Sequence, residues 1–308
     1  MYLSEDQVRS LLRYPELIAA IRQALIDFSA GKVEQPLRSV LRVKDADGGQ
    51  FGWFAAMPVI AGDYLAVKSV TFFPGNTSLG LPTHLATIEL RERATGRPLV
   101  VMDGRLITEM RTAAVSAVAV GALAAPGART LGILGSGVQA RSHIEALRHV
   151  WPAFREPRSI RVWSRNARNA EGLADEYGAE AVAIEEASGC DVVLVATSSP
   201  LPVLMGKWLA PNALVVAVGA VSPQLREVDD EAMRGCLIAE SRLSAESESG
   251  DVILSGSKVF AEIGEVLVGG VQLPAGGRRV FKSVGMAIED LTGAALVWKA
   301  LNSSRARG

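Results

Sequence analysis

Leu131-Gly-Ile-Leu-Gly135-Ser-Gly137-Val-Gln-Ala140 runs an apolar strand straight into a glycine turn and out into a helix. The spacing Gly135-x-Gly137-x-x-Ala140 is that of a dinucleotide-binding βα turn. Each small residue has a physical task. Gly135 turns the chain sharply, Gly137 lets backbone approach a pyrophosphate, and Ala140 lets the new helix pack close to its sheet. The helix start then offers unpaired N–H groups and a positive dipole end to phosphate. The flanks agree: residues 128–134 read as a buried strand, and Ile144, Leu147 and Val150 recur at helical spacing after Gln139.

Ile160-Arg161-Val162-Trp163 reads as the second strand of this unit, ending in Ser164-Arg165-Asn166. Sites that take NAD usually present Asp or Glu to the ribose 2′-hydroxyl here, roughly 20 residues past the glycines. This chain presents a hydroxyl, a guanidinium and an amide instead, which suit a 2′-phosphate. A solvated loop with a surface arginine is the competing reading. The expected cofactor is NADPH, with NADH possible. Candidate contacts are Gly135, Ser136, Gly137, Val138, Gln139, Ser164, Arg165 and Asn166. Thr197-Ser198-Ser199 follows the fourth strand of the unit, and Val218 ends the fifth; Thr197, Ser198 and Val218 join the candidates.

The bounds set by composition are simple. A chain of 308 residues with 49% hydrophobic and 21% charged residues supports two domains with substantial cores. A formal net charge of −1 gives no electrostatic footprint for nucleic acid or an anionic membrane. Cys190 and Cys236 match neither a metal-ligand spacing nor a disulfide framework, as expected of a reducing cytoplasm. His84, His143 and His149 lack zinc-like spacing, so no metal is expected. No signal peptide is expected from Met-Tyr-Leu-Ser-Glu-Asp. The alanine-rich stretch Thr112 to Ala128 reads as a buried helix, not a membrane span.

Before the glycine turn the pattern is α+β. Ser4 opens one helix and Pro15 to Ala30 forms a second. Strand-like segments follow at 38–43, 52–57, 64–73, 85–89 and 99–103, separated by turn signals such as Asp47-Gly48-Gly49 and Pro74-Gly75-Asn76. From Glu109 strands and helices alternate, with strands at 129–134, 160–164, 181–184, 191–196, 213–218 and 236–239. That alternation predicts a doubly wound Rossmann domain. A last helix, 284–301, is placed to pack back on the first domain. The expected fold is therefore α/β: a Rossmann NAD(P)-binding domain over 113–281, and an α+β domain over 1–112 completed by the C-terminal helix within 282–308.

Further stretches resemble the ornithine cyclodeaminase/μ-crystallin family over nearly the whole chain and in the expected order. They are Val67-Lys68-Ser69-Val70 leading to Pro74-Gly75-Asn76, Leu99-Val-Val-Met-Asp-Gly104, and Met110-Arg111-Thr112-Ala113-Ala114. The glycine turn follows, then Ser249-Gly250-Asp251-Val252, Glu262-Ile263-Gly264-Glu265 and Phe281-Lys282-Ser283-Val284-Gly285. The resemblance implies a homodimer formed through the first domain, with substrate in a cleft between domains. It implies that Arg111 and Lys68 hold a substrate carboxylate, with Arg38 a further family arginine and Ser283 and Gly285 near the nicotinamide. The residues themselves support this modestly: a cation in so apolar a setting needs an anionic partner or a route to water, and the alternative is a snorkelling side chain. His84 either contacts substrate or is a hydrogen-bonded structural histidine. Asp251 is either functional or caps the following turn.

Two departures choose among family activities. The cyclodeaminases carry an Asp where Val221 stands and a Glu where Ala55 stands, so both carboxylates that would handle free amines are missing. An apolar residue neither relays a proton nor pairs with an ammonium. The expected reaction is NADPH-dependent reduction of a cyclic ketimine carboxylate, of the Δ1-piperideine- or Δ1-pyrroline-2-carboxylate type. Lys68 and Arg111 are the catalytic candidates, and Arg38, His84 and Ser222 complete the substrate set. Water, Lys68 and the Ser222 hydroxyl remain open as proton donors. The alternatives are ornithine cyclodeamination and non-enzymatic, NADPH-dependent binding of a small ligand.

Overall fold

The computed structural model describes residues 1–45, 47–156 and 158–305. The chain divides into two units, Met1–Arg111 with the chain from Met286, and Thr112–Gly285. The second crossing lies at 285/286 rather than 281/282, because residues 283–285 follow directly from a central strand of the second unit.

In the first unit, β1 (Tyr2–Leu3) leads into α1 (Glu5–Leu11), whose start is closed by a reciprocal capping box between Ser4 and Gln7. Leu17, Ile21 and Leu25 form the buried stripe of α2 (Tyr14–Ser29). Then come β2 (Ser39–Lys44), β3 (Gln50–Ala61), β4 (Tyr64–Phe72), β5 (His84–Glu92) and β6 (Pro98–Asp103). They form one sheet in the order β1-β6-β5-β4-β3-β2, antiparallel except where β1 joins β6. The segment at 52–57 belongs to a longer strand that runs on through Pro58, a residue that demotes a strand when only sequence is read. On β4, Ala66, Lys68 and Val70 are the buried residues, so period-2 alternation places Lys68 in register with core positions, opposite Met57 and Ile88.

The long apolar helix α3 (Arg105–Leu123) starts seven residues earlier than the alanine run, where the Asp103 side chain accepts the Arg105 amide at 2.9 Å. It is long and apolar enough to cross a membrane, yet 78% of its most apolar window is buried within the chain.

The second unit opens with β7 (Leu131–Leu134), α4 (Val138–Val150), β8 (Ile160–Trp163), α5 (Ala167–Tyr177), β9 (Glu180–Ala181) and α6 (Ile184–Ser188). It continues with β10 (Val192–Val195), β11 (Leu214–Ala217), β12 (Cys236–Ala239), α7 (Arg242–Glu248), α8 (Gly250–Ser255), β13 (Ala261–Glu262), α9 (Ile263–Leu267) and β14 (Arg279–Lys282). The sheet is parallel throughout, in the order β13-β12-β14-β11-β10-β7-β8-β9. Every residue of β7, β10 and β11 is buried, as a sheet covered on both faces demands. Two expectations are corrected. The strand at 181–184 shrinks to Glu180–Ala181, and Ile184 starts a helix. β14, which the sequence reading passed over, lies between β11 and β12.

The last helix, α10 (Ala287–Arg305), belongs to the first unit and packs on α2 and the β3–β5 face. It begins three residues later than the apolar spacing indicates. Gly285 has φ +82°, outside helical space, and the Gln35 side chain accepts the Ile288 amide at 2.9 Å. Gly293 lets this helix lie close to α3, since a Cβ there would stand 2.7 Å from Ile107.

Candidate active site

Each unit carries half of the predicted chemistry. In the second, chain leaves β7 toward β8 on one side while β10 lies on the other, so the carboxyl ends of β7 and β10 flank a topological switch point. Gly135 has φ +125°, and a Cβ on it would sit 2.4 Å from the Ala196 carbonyl oxygen. Only glycine fits. Gly137 caps α4 with no side-chain bond to the helix amides, and space beside its Cα is open. Ala140 is fully buried. Gln139 aims a buried Oε1 that has no hydrogen-bond partner. An uncapped helix start, a cradle that a side chain would fill and an orphaned polar atom fit a dinucleotide pyrophosphate.

Ser136 donates to Ser164 at 2.9 Å, tying the glycine turn to the end of β8. Arg165 is exposed. Asn166 spends its side-chain oxygen on the Arg168 amide, 3.1 Å away, and so caps α5. Val138 is exposed and Val218 buried. The Thr197 amide and hydroxyl both donate to Glu227 Oε1, at 2.7 and 2.5 Å. Ser198 follows in the same turn. Ser283 is buried, and the amides of Val284 and Gly285 both donate to Glu240 Oε1. Ser222 lies in this unit as well, its hydroxyl donating to Gln224 at 2.8 Å.

The first unit brings Lys68 and Arg111 together. Lys68 is 3% exposed and Arg111 5%, which rules out snorkelling for both. Their partners are two acids in the first turn of α10, where carboxylates also suit the helix dipole. Lys68 Nζ lies 2.6 Å from Asp290 Oδ2, while Arg111 reaches Asp290 Oδ1 through Nε at 3.2 Å and Glu289 Oε2 through Nη1 at 2.6 Å. Gly293 and Ile107 cross closely one helical turn before Arg111 on α3, which brings the first turn of α10 within reach of that arginine. Burial, opposed by Asp290, brings the Lys68 ammonium down to about 8, and the charges of Arg111 and Arg38 push the same way. His84 starts β5, keeps an exposed edge and packs against Phe72 with ring centroids 4.5 Å apart. Loss of water, then the Lys68 charge, holds its imidazole below the usual range. Arg38 is half-buried just ahead of β2. Ala55 is fully buried on β3, in register with Val70.

Lys68, Arg111, Arg38 and His84 therefore share one unit, and Ser222 lies in the other. Reading along the sequence missed Glu289 and Asp290. Their signal was present, because two adjacent acids open a helix that is mostly apolar as far as Trp298, and the buried cations required an anionic partner. Among the described residues no group of His, Cys, Asp and Glu has the arrangement of a metal site.

The chain is similar to known proteins over nearly its whole length. It is 41% identical to the ketimine reductase mu-crystallin of Mus musculus over 315 residues, covering 99% of this chain and 98% of that one. The solved Δ1-pyrroline-2-carboxylate reductase of Thermococcus litoralis, in complex with NADH and L-proline, superposes with a TM-score of 0.89 at 32% identity, covering 99% of this chain and 98% of that one. An archaeal alanine dehydrogenase dimer with bound NAD gives a TM-score of 0.92 at 28% identity, over 99% and 97% of the two chains. The family model described as ornithine cyclodeaminase/mu-crystallin matches residues 1–305. With this match and these relatives, the chain belongs to the ornithine cyclodeaminase/mu-crystallin family.

Proposed function

We propose that the protein is a nicotinamide-dependent reductase of cyclic ketimine carboxylates, forming the corresponding cyclic amino acids. The observation that carries this reading is the meeting of Lys68 and Arg111 over Asp290, deep in the first unit. Arg38 is close enough for its charge to act on Lys68, so it adds to the positive field at the same place. Arg111 offers a planar fork to a carboxylate and Lys68 a point charge.

A reduced nicotinamide, when bound at the glycine turn, would supply hydride. The residues of this chain would supply position: the helix start at Gly137 and the orphaned Gln139 would hold the pyrophosphate, and Lys68 and Arg111 would fix the ring by its carboxylate. Holding reactants in this way is the larger part of what such a reaction asks of a protein. Addition of hydride to the C=N carbon leaves nitrogen to take one proton. The Lys68 ammonium, held by Asp290 and down at about 8, is equipped to give that proton at neutral pH.

NADPH is the preferred form on this reading, because the end of β8 presents Ser164 and the exposed Arg165 and no acid. Ornithine cyclodeamination is disfavoured by Ala55 and Val221, apolar side chains at the two positions where the cyclodeaminase pattern has acids. A homodimer completes the proposal. The experiment follows NADPH and NADH oxidation with five- and six-membered cyclic imino acids, beside ammonia release from ornithine. Oxidation of NADPH without ammonia is expected. Ammonia release without net cofactor turnover overturns the reading.

A further inference from the structure

Behind the turn that follows β10 lies a buried charge cluster with no part in the reaction above. Glu227, Asp251 on α8 and Lys282 on β14 are each 0% exposed. Asp251 is fully matched. Its Oδ1 accepts the amides of Glu227 and Val228 at 2.7 and 3.1 Å, and its Oδ2 takes the Lys282 ammonium at 2.9 Å. Asp251 is thus a tie between elements.

Glu227 is matched on one side only. Oε1 accepts both the amide and the hydroxyl of Thr197, while Oε2 is buried with no hydrogen-bond partner. Gly219, just past β11, closes the arrangement: a Cβ there would lie 2.1 Å from Glu227 Oε2 and 2.3 Å from the Thr197 carbonyl oxygen. Carboxylate, threonine and glycine are therefore packed as one piece. Thr197 begins the turn beside the glycine turn, since the Ala196 carbonyl just before it is the atom that Gly135 must avoid.

We propose that Glu227 is a positioning residue for the cofactor: acting through Thr197, it fixes the turn that receives the dinucleotide, and the charge on its carboxylate tunes how firmly. This rests on the reading that the turn at Thr197 faces the nicotinamide cofactor. The charged groups facing Glu227 are Lys282 from β14 and Asp251 from α8, and the turn after β10 contributes Thr197. Two acids against one ammonium in a dry site leave one negative charge uncompensated. Burial raises the Glu227 carboxyl to about 7, against the opposing pull of Lys282 and Thr197 and with the charge of Asp251 adding. An ionised carboxylate grips two donors more strongly than a neutral one. Affinity for the cofactor rises as Glu227 loses its proton.

The test is the Kd for NADH, read by fluorescence titration from pH 6.0 to 8.5 without substrate. NADH is the probe because it lacks the 2′-phosphate monoester, whose own ionisation near pH 6 would intrude. Wild-type affinity is expected to rise about fivefold across this range. Glu227→Gln keeps the shape and one acceptor, and its Kd is expected to stay flat near the low-pH value of the wild type. Thr197→Val removes the hydroxyl donor and should shrink the step. An equal step in wild type and Glu227→Gln overturns the proposal, as does a flat wild-type profile. A wild-type protein that binds neither NADH nor NADPH contradicts the proposed function itself, and the two failures are told apart.

Discussion

Each unit of this protein buries a knot of opposite charges, and the two knots differ in how their acids are matched. In the first unit Lys68 and Arg111 meet Glu289 and Asp290, two cations to two carboxylates, and the charge of Arg38 acts on Lys68 as well. In the second, Glu227 and Asp251 meet Lys282, leaving negative charge over. Buried charge without a partner is costly. On the proposed function the first knot receives an anion, and on the further inference the second holds a proton.

The largest effect should come from emptying the first knot. Lys68→Met is expected to lower kcat/KM for a cyclic imino acid by about a thousandfold, roughly 4 kcal/mol, with the Kd for NADPH little changed. Steady-state kinetics beside a cofactor titration checks this, and equal losses in both would show general damage. The same knot sets a pH limit. Because the ammonium of Lys68 is down at about 8, wild-type KM should rise as pH climbs past that value, and Lys68→Arg should remove the rise.

Asp290→Asn comes next. It leaves the two cations without their shared anion, and KM should rise about tenfold with a smaller change in kcat. Asp290→Glu is expected to recover part of the loss, which a merely structural role would not give. A weaker effect again is expected at the end of β8. Arg165→Ala should cost several-fold in NADPH affinity, about 1 kcal/mol for an exposed charge on phosphate, and leave NADH unaffected.

The sequence made the second unit more legible than the first unit's chemistry. Strands such as β7, β10 and β12 are short apolar runs, and the glycine turn has one physical reading, so both stand out without partners being known. β14 does not: Arg279-Val280-Phe281-Lys282 is polar at both ends, because Lys282 is buried only by virtue of Asp251 on α8. The same reason hid Glu289 and Asp290. Helical spacing in α10 registers Ile288, Leu291 and Ala295 but says nothing of two acids whose partners come from β4 and α3. Glu227 and Glu240 are likewise recognised by what they hold, Thr197 and the amides of Val284 and Gly285. Apolar pattern is local. Charge pairing across some 180 residues is not: Arg111 and Glu289 are separated in sequence by 178.

The smallest effect sharpens the other side of the comparison. Glu227 is raised to about 7 in the folded protein, against roughly 4.3 for a free glutamate. Between those values the folded chain binds the extra proton, so stability falls as pH rises, and it levels off above about 7. Glu227→Gln should lack this loss, gaining a few degrees in Tm on wild type at pH 8 and nothing at pH 4. A constant difference across pH would show that Glu227 does not titrate in this window.

The most direct test of the central claim compares two rings that differ only in the group the cations are built to hold. Reduction of Δ1-piperideine-2-carboxylate and of the same cyclic imine without its carboxylate is measured with NADPH under identical conditions. The account predicts a loss of at least about a hundredfold in kcat/KM for the ring lacking the carboxylate, roughly 2.7 kcal/mol, and a much smaller loss from Lys68→Met on that ring than on the carboxylate, because only the proton is then missed. Equal rates on the two rings would contradict it.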